Sequence, residues 1–251
     1  MVFLKSRPEI AKIRDAGKIV AEVLARVGQA IAPGISTLEL DRIAEELINS
    51  HPDSRAAFKG YGGFPNALCT SINNEVVHGI PKKDRILAPG DLASIDVGVF
   101  SKGYFADAAA SFSVGRASPR VGRLLEVTRR SLEEGISQAR AQNRIGDIGS
   151  AVQRYVESNN YSVVRDLVGH GIGQNLHEDP QVPNYGTPNR GYELKEGLVL
   201  AIEPMVNEGT PEVRTLDDNW TVVTADGKLS AHFEHTVAVG PNGPEILTEW
   251  H

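Results

Sequence analysis

Residues 90–115 constrain the fold of this chain more than any other segment, because they have the sequence of a β-hairpin. Both arms are rich in small and apolar residues, and Ser101-Lys102-Gly103 separates them as the turn. If Ser101 and Lys102 form a two-residue loop, Asp96 lies directly opposite Asp107, whereas a three-residue loop makes them diagonal neighbours. Two facing carboxylates in an apolar ladder repel each other, and a bound cation would compensate them. The alternative is that one aspartate faces solvent and the other lies beside the turn. The hairpin alone is compatible with either a metal site or two ordinary surface carboxylates.

Composition places the chain among ordinary globular proteins and narrows the kinds of site it can hold. It has 251 residues, 41% of them hydrophobic and 23% charged, with a net charge of -6. This net negative charge argues against a protein whose main role is to bind the phosphate backbone of nucleic acids. There is no apolar run near the length of a membrane span and no charged-then-apolar leader after Met1, so we expect a cytoplasmic protein. Cys69 is the single cysteine, which excludes an internal disulfide and a multi-cysteine zinc site, so any metal must be held by His, Asp and Glu.

The order of predicted helices and strands repeats once along the chain. Apolar residues at helical spacing predict four helices, at about residues 7–29, 37–50, 118–141 and 148–158. Strands follow each pair of helices. We therefore predict an α+β fold in a single domain over residues 1–251, built from two similar halves at about 1–115 and 116–251.

A glycine-rich loop at residues 58–66 carries three aromatic side chains, Phe58, Tyr61 and Phe64. Aromatic residues on a loop are suited to lining a pocket, although they can also be anchors tucked against the core. The loop is therefore a candidate pocket wall.

Two apolar segments of the second half, residues 197–206 and 231–239, read as strands, and each contains a glutamate, Glu203 and Glu234. A glutamate in such a strand is rarely buried unless it is paired or ligated. His170 lies between glycines, which allows close backbone approach. These glycines do not have the spacing of a dinucleotide-binding loop, and no helix follows them.

The four carboxylates, with His170, make five candidate ligands dominated by oxygen, which is enough for two divalent metal ions. Such a pair generates a hydroxide nucleophile and polarises a carbonyl in hydrolysis. This set of oxygen and imidazole ligands suits Mn, Fe or Co. By the usual order of affinities of divalent metal ions for protein ligands, it also suits Zn or Ni. His78 and His177 are left over. Each is either a satisfied core histidine or a hydrogen-bond partner for a scissile amide and its tetrahedral intermediate.

Five segments together resemble the type I methionine aminopeptidase family, whose fold is the pita-bread fold. They are residues 73–81, the Asp96 to Asp107 hairpin, residues 169–173 with His177, Glu203-Pro204 and Glu234-His235-Thr236. The resemblance covers almost the whole chain. It implies two pseudo-symmetric α+β halves with a curved antiparallel sheet covered by helices, and removal of the initiator methionine from nascent chains when the second residue is small.

The resemblance also implies a role for each candidate residue. Five residues match the dinuclear ligands: Asp96, Asp107, His170, Glu203 and Glu234. Those at Asp107 and Glu234 bridge the ions, and that at Glu203 is also the proton acceptor and donor for the metal-bound water that attacks the scissile carbonyl. Positions His78 and His177 contact the substrate amide and steady the intermediate.

By the same resemblance, six residues line the pocket for the methionine side chain: Phe58, Tyr61, Phe64, Cys69, Leu176 and Trp220. A thioether packs well against aromatic edges. The best-known bacterial pattern has cysteine at position 58, tyrosine at 64 and phenylalanine at 176, so the contour of this pocket differs. Gly98 and His232 also depart from the commonest residues of the family.

The chain resembles the short bacterial form, because it carries neither a cysteine-rich amino-terminal extension nor an insertion between His177 and Glu203. We expect the amino termini of nascent chains as its substrate, a monomer, possible association with the ribosome, and no membrane or specific nucleic-acid partner. Two alternatives share the fold. One is a related X-Pro aminopeptidase or dipeptidase, and the other is a non-catalytic peptide-binding module, which would typically have lost metal ligands.

Overall fold

The computed structural model describes residues 1–250 and has mixed helices and antiparallel sheets, which confirms the α+β class. Its four α-helices are α1 (Arg7–Ala30), α2 (Thr37–Ser50), α3 (Pro119–Ser137) and α4 (Ile145–Ser158). The predicted helices agree with these bounds to within a few residues. Among the described residues, no helix has the length and apolar character needed to cross a membrane.

Fifteen strands form four antiparallel sheets. They are β1 (Ser54–Ala56), β2 (Leu68–Ile72), β3 (Glu75–Val77), β4 (Leu92–Ser101), β5 (Tyr104–Ser113), β6 (Ser162–Val163), β7 (Gly169–Gly171), β8 (Glu178–Val182), β9 (Val199–Ile202), β10 (Met205–Asn207), β11 (Val213–Thr215), β12 (Val222–Thr224), β13 (Ser230–His232), β14 (His235–Gly240) and β15 (Gly243–Ile246). In the first sheet, β4 pairs with β5 on one side and with β1 and β2 on the other. The largest sheet has the order β15-β14-β9-β7-β8.

Helix α1 illustrates how local sequence and packing combine. Its first turn is capped by Glu9, whose carboxylate accepts a hydrogen bond from the backbone N–H of Ser6 at 2.7 Å. Its apolar face, which includes Val20, Leu24 and Val27, is fully buried and packs on β4 and β5. This packing fixes the back of the hairpin, so that its other face is free to form a site.

The turn of the hairpin is Lys102-Gly103, not Ser101-Lys102, and the predicted register was therefore wrong. Ser101 pairs with Tyr104, and Asp96 pairs with Ala109. Lys102 has φ of 50° and Gly103 has φ of 88°, as a two-residue type I′ loop requires, and glycine takes the second position without steric cost. The shift of two residues keeps Asp96 and Asp107 on one face, as diagonal neighbours rather than directly opposite each other.

Two predicted strands are each interrupted at their glutamate. Residues 197–206 divide into β9 and β10, with Glu203 in the break, and residues 231–239 divide into β13 and β14, with Glu234 in the break. Strand β9 pairs with β14 and β10 pairs with β13 in one continuous register, which places Glu203 opposite Glu234. Both glutamates thus lie where a pair of strands passes from one sheet into another.

The repetition of two helices followed by strands is present, since α1 and α2 precede β1–β5, and α3 and α4 precede β6–β15. The boundary between similar halves near residue 115 stays a prediction.

Candidate active site

The hairpin and the two interrupted strands bring four carboxylates together. Asp107 is 3% exposed and is held by Thr236, whose hydroxyl oxygen lies 2.8 Å from the Asp107 carbonyl oxygen and 3.1 Å from its Oδ1. The backbone N–H of Glu234 donates to the carbonyl of Ala109 on β5 at 2.9 Å. This bond joins the hairpin to the second half of the chain, so the two sets of carboxylates share one cavity.

His170 presents an unprotonated ring nitrogen to these carboxylates. Its Nδ1 lies 2.9 Å from the carbonyl oxygen of Gly171, which can only accept, so Nδ1 carries the proton and Nε2 has a free lone pair. Nε2 lies 3.5 Å from Asp107 Oδ2 and 3.6 Å from Glu203 Oε1. Ligand atoms of Asp107, His170 and Glu234 all lie within 4.8 Å of one another.

The electrostatics of this cluster are unfavourable without a cation. Burial, and then the charges of the neighbouring carboxylates, raise the pKa values of Asp96, Glu203 and Glu234 well above their usual range. Burial raises the pKa of Asp107 to about 6, and burial lowers the pKa of His170 to about 4. Within residues 1–250, no lysine or arginine lies within 4.0 Å of any of the four carboxylates.

The donor set fits divalent metal ions. Asp96 Oδ1 is buried and has no hydrogen-bond partner among residues 1–250, and the lone pair of His170 Nε2 faces carboxylate oxygens that also carry lone pairs. A cation satisfies all of these atoms at once, whereas a further hydrogen bond would satisfy only one. Oxygen ligands with one imidazole are typical of Mn, Fe, Co or Zn sites. The cluster can therefore bind divalent metal.

His78 and His177 lie beside the carboxylate cluster. The ring centroids of His177 and His170 are 4.3 Å apart, and His177 Nδ1 lies 2.8 Å from the hydroxyl oxygen of Tyr61. Burial and the neighbouring His177 lower the pKa of His78 to about 4, so its imidazole is neutral near pH 7. A neutral imidazole can donate one hydrogen bond and accept another.

An aromatic wall faces the carboxylates across the cavity. Phe64 is 4% exposed and meets Trp220 edge to face, with the ring centroids 5.2 Å apart. Tyr61 lies at the mouth of the cavity, where it contacts His177. The cavity is lined by all thirteen residues singled out from the sequence, namely Phe58, Tyr61, Phe64, Cys69, His78, Asp96, Asp107, His170, Leu176, His177, Glu203, Trp220 and Glu234.

Asp41 of α2 anchors the loop that carries this wall. Its buried carboxylate accepts hydrogen bonds from the side chain of Asn66 at 2.7 Å and from the backbone N–H groups of Ala67 and Leu68 at 2.9 Å each. Since these residues end the aromatic loop and begin β2, the carboxylate fixes where the loop leaves the sheet.

Sequence reasoning missed several residues that support the site. Thr236 belongs to a segment that we had singled out, but nothing in the sequence showed that its hydroxyl holds Asp107. His232 is buried, and its Nε2 lies 3.8 Å from Glu203 Oε2. Asn184 donates to the carbonyl oxygen of Glu203 at 3.0 Å. Asn184 and Asp41 gave no sequence signal, because each acts on a residue distant in the chain.

The chain is similar to known proteins over almost its full length. Residues 11–241 match the family described as metallopeptidase family M24. A methionine aminopeptidase of Clostridium perfringens is 55% identical over 248 residues, which cover 99% of each protein. Methionine aminopeptidase 1 of Bacillus subtilis is 51% identical, with the same coverage.

A solved structure agrees with these relatives. The crystal structure of a methionine aminopeptidase from Thermotoga maritima has a TM-score of 0.97 and 45% sequence identity, and the match covers 99% of this chain and 100% of that one. This likeness confirms the pita-bread fold expected from the sequence. Because the family match spans residues 11–241 and full-length relatives share about half of its residues, the chain belongs to metallopeptidase family M24.

Proposed function

We propose that this protein is a metal-dependent methionyl aminopeptidase that removes the initiator methionine from nascent chains when the second residue is small. The observation that carries the proposal is the single cavity in which a buried carboxylate and histidine cluster faces an aromatic wall. The cluster suits hydrolysis of an amide, and the wall suits an unbranched thioether side chain. The full-length relatives named methionine aminopeptidase support the same activity.

Five residues would hold two divalent ions: Asp96, Asp107, His170, Glu203 and Glu234. Asp107 and Glu234 would each contribute a carboxylate from facing segments, which the hydrogen bond from Glu234 to Ala109 joins. When bound, the ions would polarise the scissile carbonyl and lower the pKa of water. The ion used in the cell is one of Co, Mn, Fe, Zn or Ni.

Glu203 is the proposed proton carrier. Its carboxylate lines the cavity among the other candidate ligands, with Oε1 3.6 Å from His170 Nε2, and a carboxylate held beside the reacting atoms can take up and release a proton. Asn184 fixes its backbone at 3.0 Å. Glu203 would therefore take a proton from the attacking water and return it to the leaving amine.

His78 and His177 would bind the scissile amide. Because the pKa of His78 is lowered to about 4, its ring stays neutral and donates an N–H without adding a full positive charge. The Tyr61 hydroxyl, 2.8 Å from His177 Nδ1, orients the second ring. With Tyr61 donating to Nδ1, the Nε2 N–H of His177 is free for the oxygen of the tetrahedral intermediate.

The methionine side chain would occupy the space between Phe58, Tyr61, Phe64, Cys69, Leu176 and Trp220, which line the cavity away from the carboxylates. The proposed setting is the cytoplasm, with a monomeric enzyme acting on chains as they leave the ribosome. A single buried free cysteine, Cys69, is consistent with a reducing compartment.

The test is product analysis with purified protein on two tripeptides, Met-Ala-Ser and Ala-Pro-Ser, with Mn²⁺ present. Release of methionine from the first peptide alone is the expected result. Cleavage of the second peptide would favour an X-Pro aminopeptidase, and binding of either without cleavage would favour a non-catalytic module. Glu203→Gln is the control, because it should abolish release while the fold is retained.

A further inference from the structure

Gly98 lies on β4 among the candidate metal ligands. It pairs with Asp107 across the hairpin and lies two residues after Asp96, so all three share one face of the sheet. Its φ lies outside the left-handed region, and the backbone therefore does not require glycine here. The reason for the glycine must be the space that a side chain would occupy.

That space is filled by the aromatic loop. A Cβ at position 98 would lie 2.7 Å from Cε1 and 3.2 Å from Cδ1 of Phe58, and 2.9 Å from Cβ of Ala57. Real Cβ atoms do not approach carbon this closely. The backbone cannot relieve the contact easily, because the N–H of Ala57 donates to the carbonyl oxygen of Gly98 at 2.9 Å and β1 pairs with the next residues of β4.

The Phe58 ring can therefore lie against β4 because Gly98 carries no side chain. The ring is half-buried, packs against the main core and lines the cavity beside Asp96 and Cys69. The residue at position 98 and the ring at position 58 therefore form one structural unit.

We propose that Gly98 is a specificity-determining residue that acts through Phe58. Because position 98 carries no side chain, the Phe58 ring has room to line the methionine pocket. This proposal rests on the proposed aminopeptidase function. Gly98 touches no substrate atom in this account and is a positioning residue. Its role is to fix the width of the pocket, and hence the preference for an unbranched side chain over a branched one.

The experiment is a double-mutant cycle with Gly98→Ala, Phe58→Ala and the double variant, with Gly122→Ala as the control. A Cβ at Gly122 meets nothing within 4 Å and its φ is also ordinary. This control should match the wild type in kcat and KM, and its melting temperature should be equal or slightly higher, because alanine is favoured over glycine inside helix α3. Each Mn²⁺-loaded protein is assayed for kcat and KM on Met-Ala-Ser and on Leu-Ala-Ser. Melting temperature is measured without substrate, and Mn²⁺ affinity by calorimetry.

Overpacking predicts that Gly98→Ala lowers the melting temperature by about 3–8 °C in the wild-type background and by less when Phe58 is alanine, where only the contact with Cβ of Ala57 at 2.9 Å remains. It should raise KM for Met-Ala-Ser about tenfold and reduce the preference for methionine over leucine, with Mn²⁺ affinity unchanged. In the Phe58→Ala background the same change should alter KM by less than about twofold. If Gly98→Ala does not fold, recovery of folded protein in the double variant is the supporting result.

Equal effects of Gly98→Ala in both backgrounds would overturn the proposal. Failure to recover folded protein when Phe58 is alanine and Ala57 is glycine in the same chain would also overturn it, because both side chains that the new Cβ meets are then removed. A loss of Mn²⁺ affinity as large as the loss of kcat/KM would also overturn it, because the glycine would then act on Asp107 opposite. If the wild type released no methionine, the proposed function and this specificity role would both fail. The melting cycle would still show whether Gly98 accommodates the Phe58 ring.

Discussion

Replacing Asp107 with asparagine should stabilise the metal-free protein at neutral pH, although it removes a candidate metal ligand. Burial raises the pKa of this carboxyl from 3.8 to about 6, so the folded state binds its proton more tightly than the unfolded chain does. Deprotonation therefore costs folding free energy, and the cost appears as the pH rises from about 4 to about 6 and is constant above that. A shift of about two pKa units corresponds to about 3 kcal/mol.

The amide can occupy the same position. Thr236 Oγ1 lies 3.1 Å from Asp107 Oδ1 and can still donate to it. His170 Nε2 lies 3.5 Å from Oδ2 and carries a free lone pair, so the amide NH₂ of asparagine finds an acceptor there. Asp107→Asn should thus remove the buried charge while the amide oxygen and one amide N–H keep partners.

The assay is urea unfolding of both proteins after chelation, at several values between pH 5 and pH 8. The free energy of unfolding of the variant should exceed that of the wild type by up to about 3 kcal/mol at pH 8 and by less at pH 5. With Mn²⁺ at 100 times its dissociation constant the wild type should gain about 2.7 kcal/mol, and the variant much less. A metal-free variant less stable than the wild type at pH 8, or a difference independent of pH, would refute the reasoning.

Asp226→Asn is the matched control for this pH dependence, and it should show the opposite sign. Asp226 is exposed, and the backbone N–H of Lys228, at 3.0 Å, is the largest cause that lowers its pKa. Its charged form therefore stabilises the fold at pH 8, and that contribution fades as the pH falls through the lowered pKa. The control should be less stable than the wild type at pH 8.

Three further predictions concern turnover and the pocket. Glu203→Gln should lower kcat by roughly 10²- to 10⁴-fold, because the proposed proton carrier, which is also a proposed ligand, is lost, while circular dichroism stays unchanged; near-wild-type rates would refute that role. Changing the second substrate residue from alanine to leucine should lower kcat/KM by at least about tenfold, since His177 and Tyr61 bound the mouth of the cavity, and equal rates on Met-Ala-Ser and Met-Leu-Ser would contradict this. Asp41→Ala removes the acceptor of two backbone N–H groups at 2.9 Å and should cost about 1–3 kcal/mol in urea unfolding and raise KM, whereas an unchanged KM would show that the loop is held by other contacts.

The sequence predicted the members of the site better than the way the fold assembles them. Side chains alternate between the two faces of a strand, so Asp96 and Asp107 fall on one face for any even shift of the register. The exact turn required the backbone conformation of Lys102 and Gly103, whose φ values of 50° and 88° define the loop. The prediction that Asp96 and Asp107 share one face of the sheet is therefore correct, although the predicted register was wrong.

The interrupted strands could not be predicted from periodicity. Apolar residues continue on both sides of Glu203 and of Glu234, as they do in a single buried strand. The pairing of these two segments with each other continues through the break, but the neighbour on the far side changes, from β7 beside β9 to β6 beside β10. That change depends on contacts with residues far away in the chain. The supporting roles of Thr236, Asn184 and Asp41 have the same origin, since each lies at least 19 residues from the group that it holds.

Methionine release from Met-Ala-Ser, measured after chelation and again after addition of Mn²⁺, Fe²⁺, Co²⁺ or Zn²⁺ singly, tests the central claim most directly. Four clustered carboxylates, of which Asp107 and Glu234 are buried, have no lysine or arginine partner within residues 1–250. They predict that activity is lost with the chelator and returns with at least one of these ions. Methionine release that persists at full rate in the chelated protein would contradict the account.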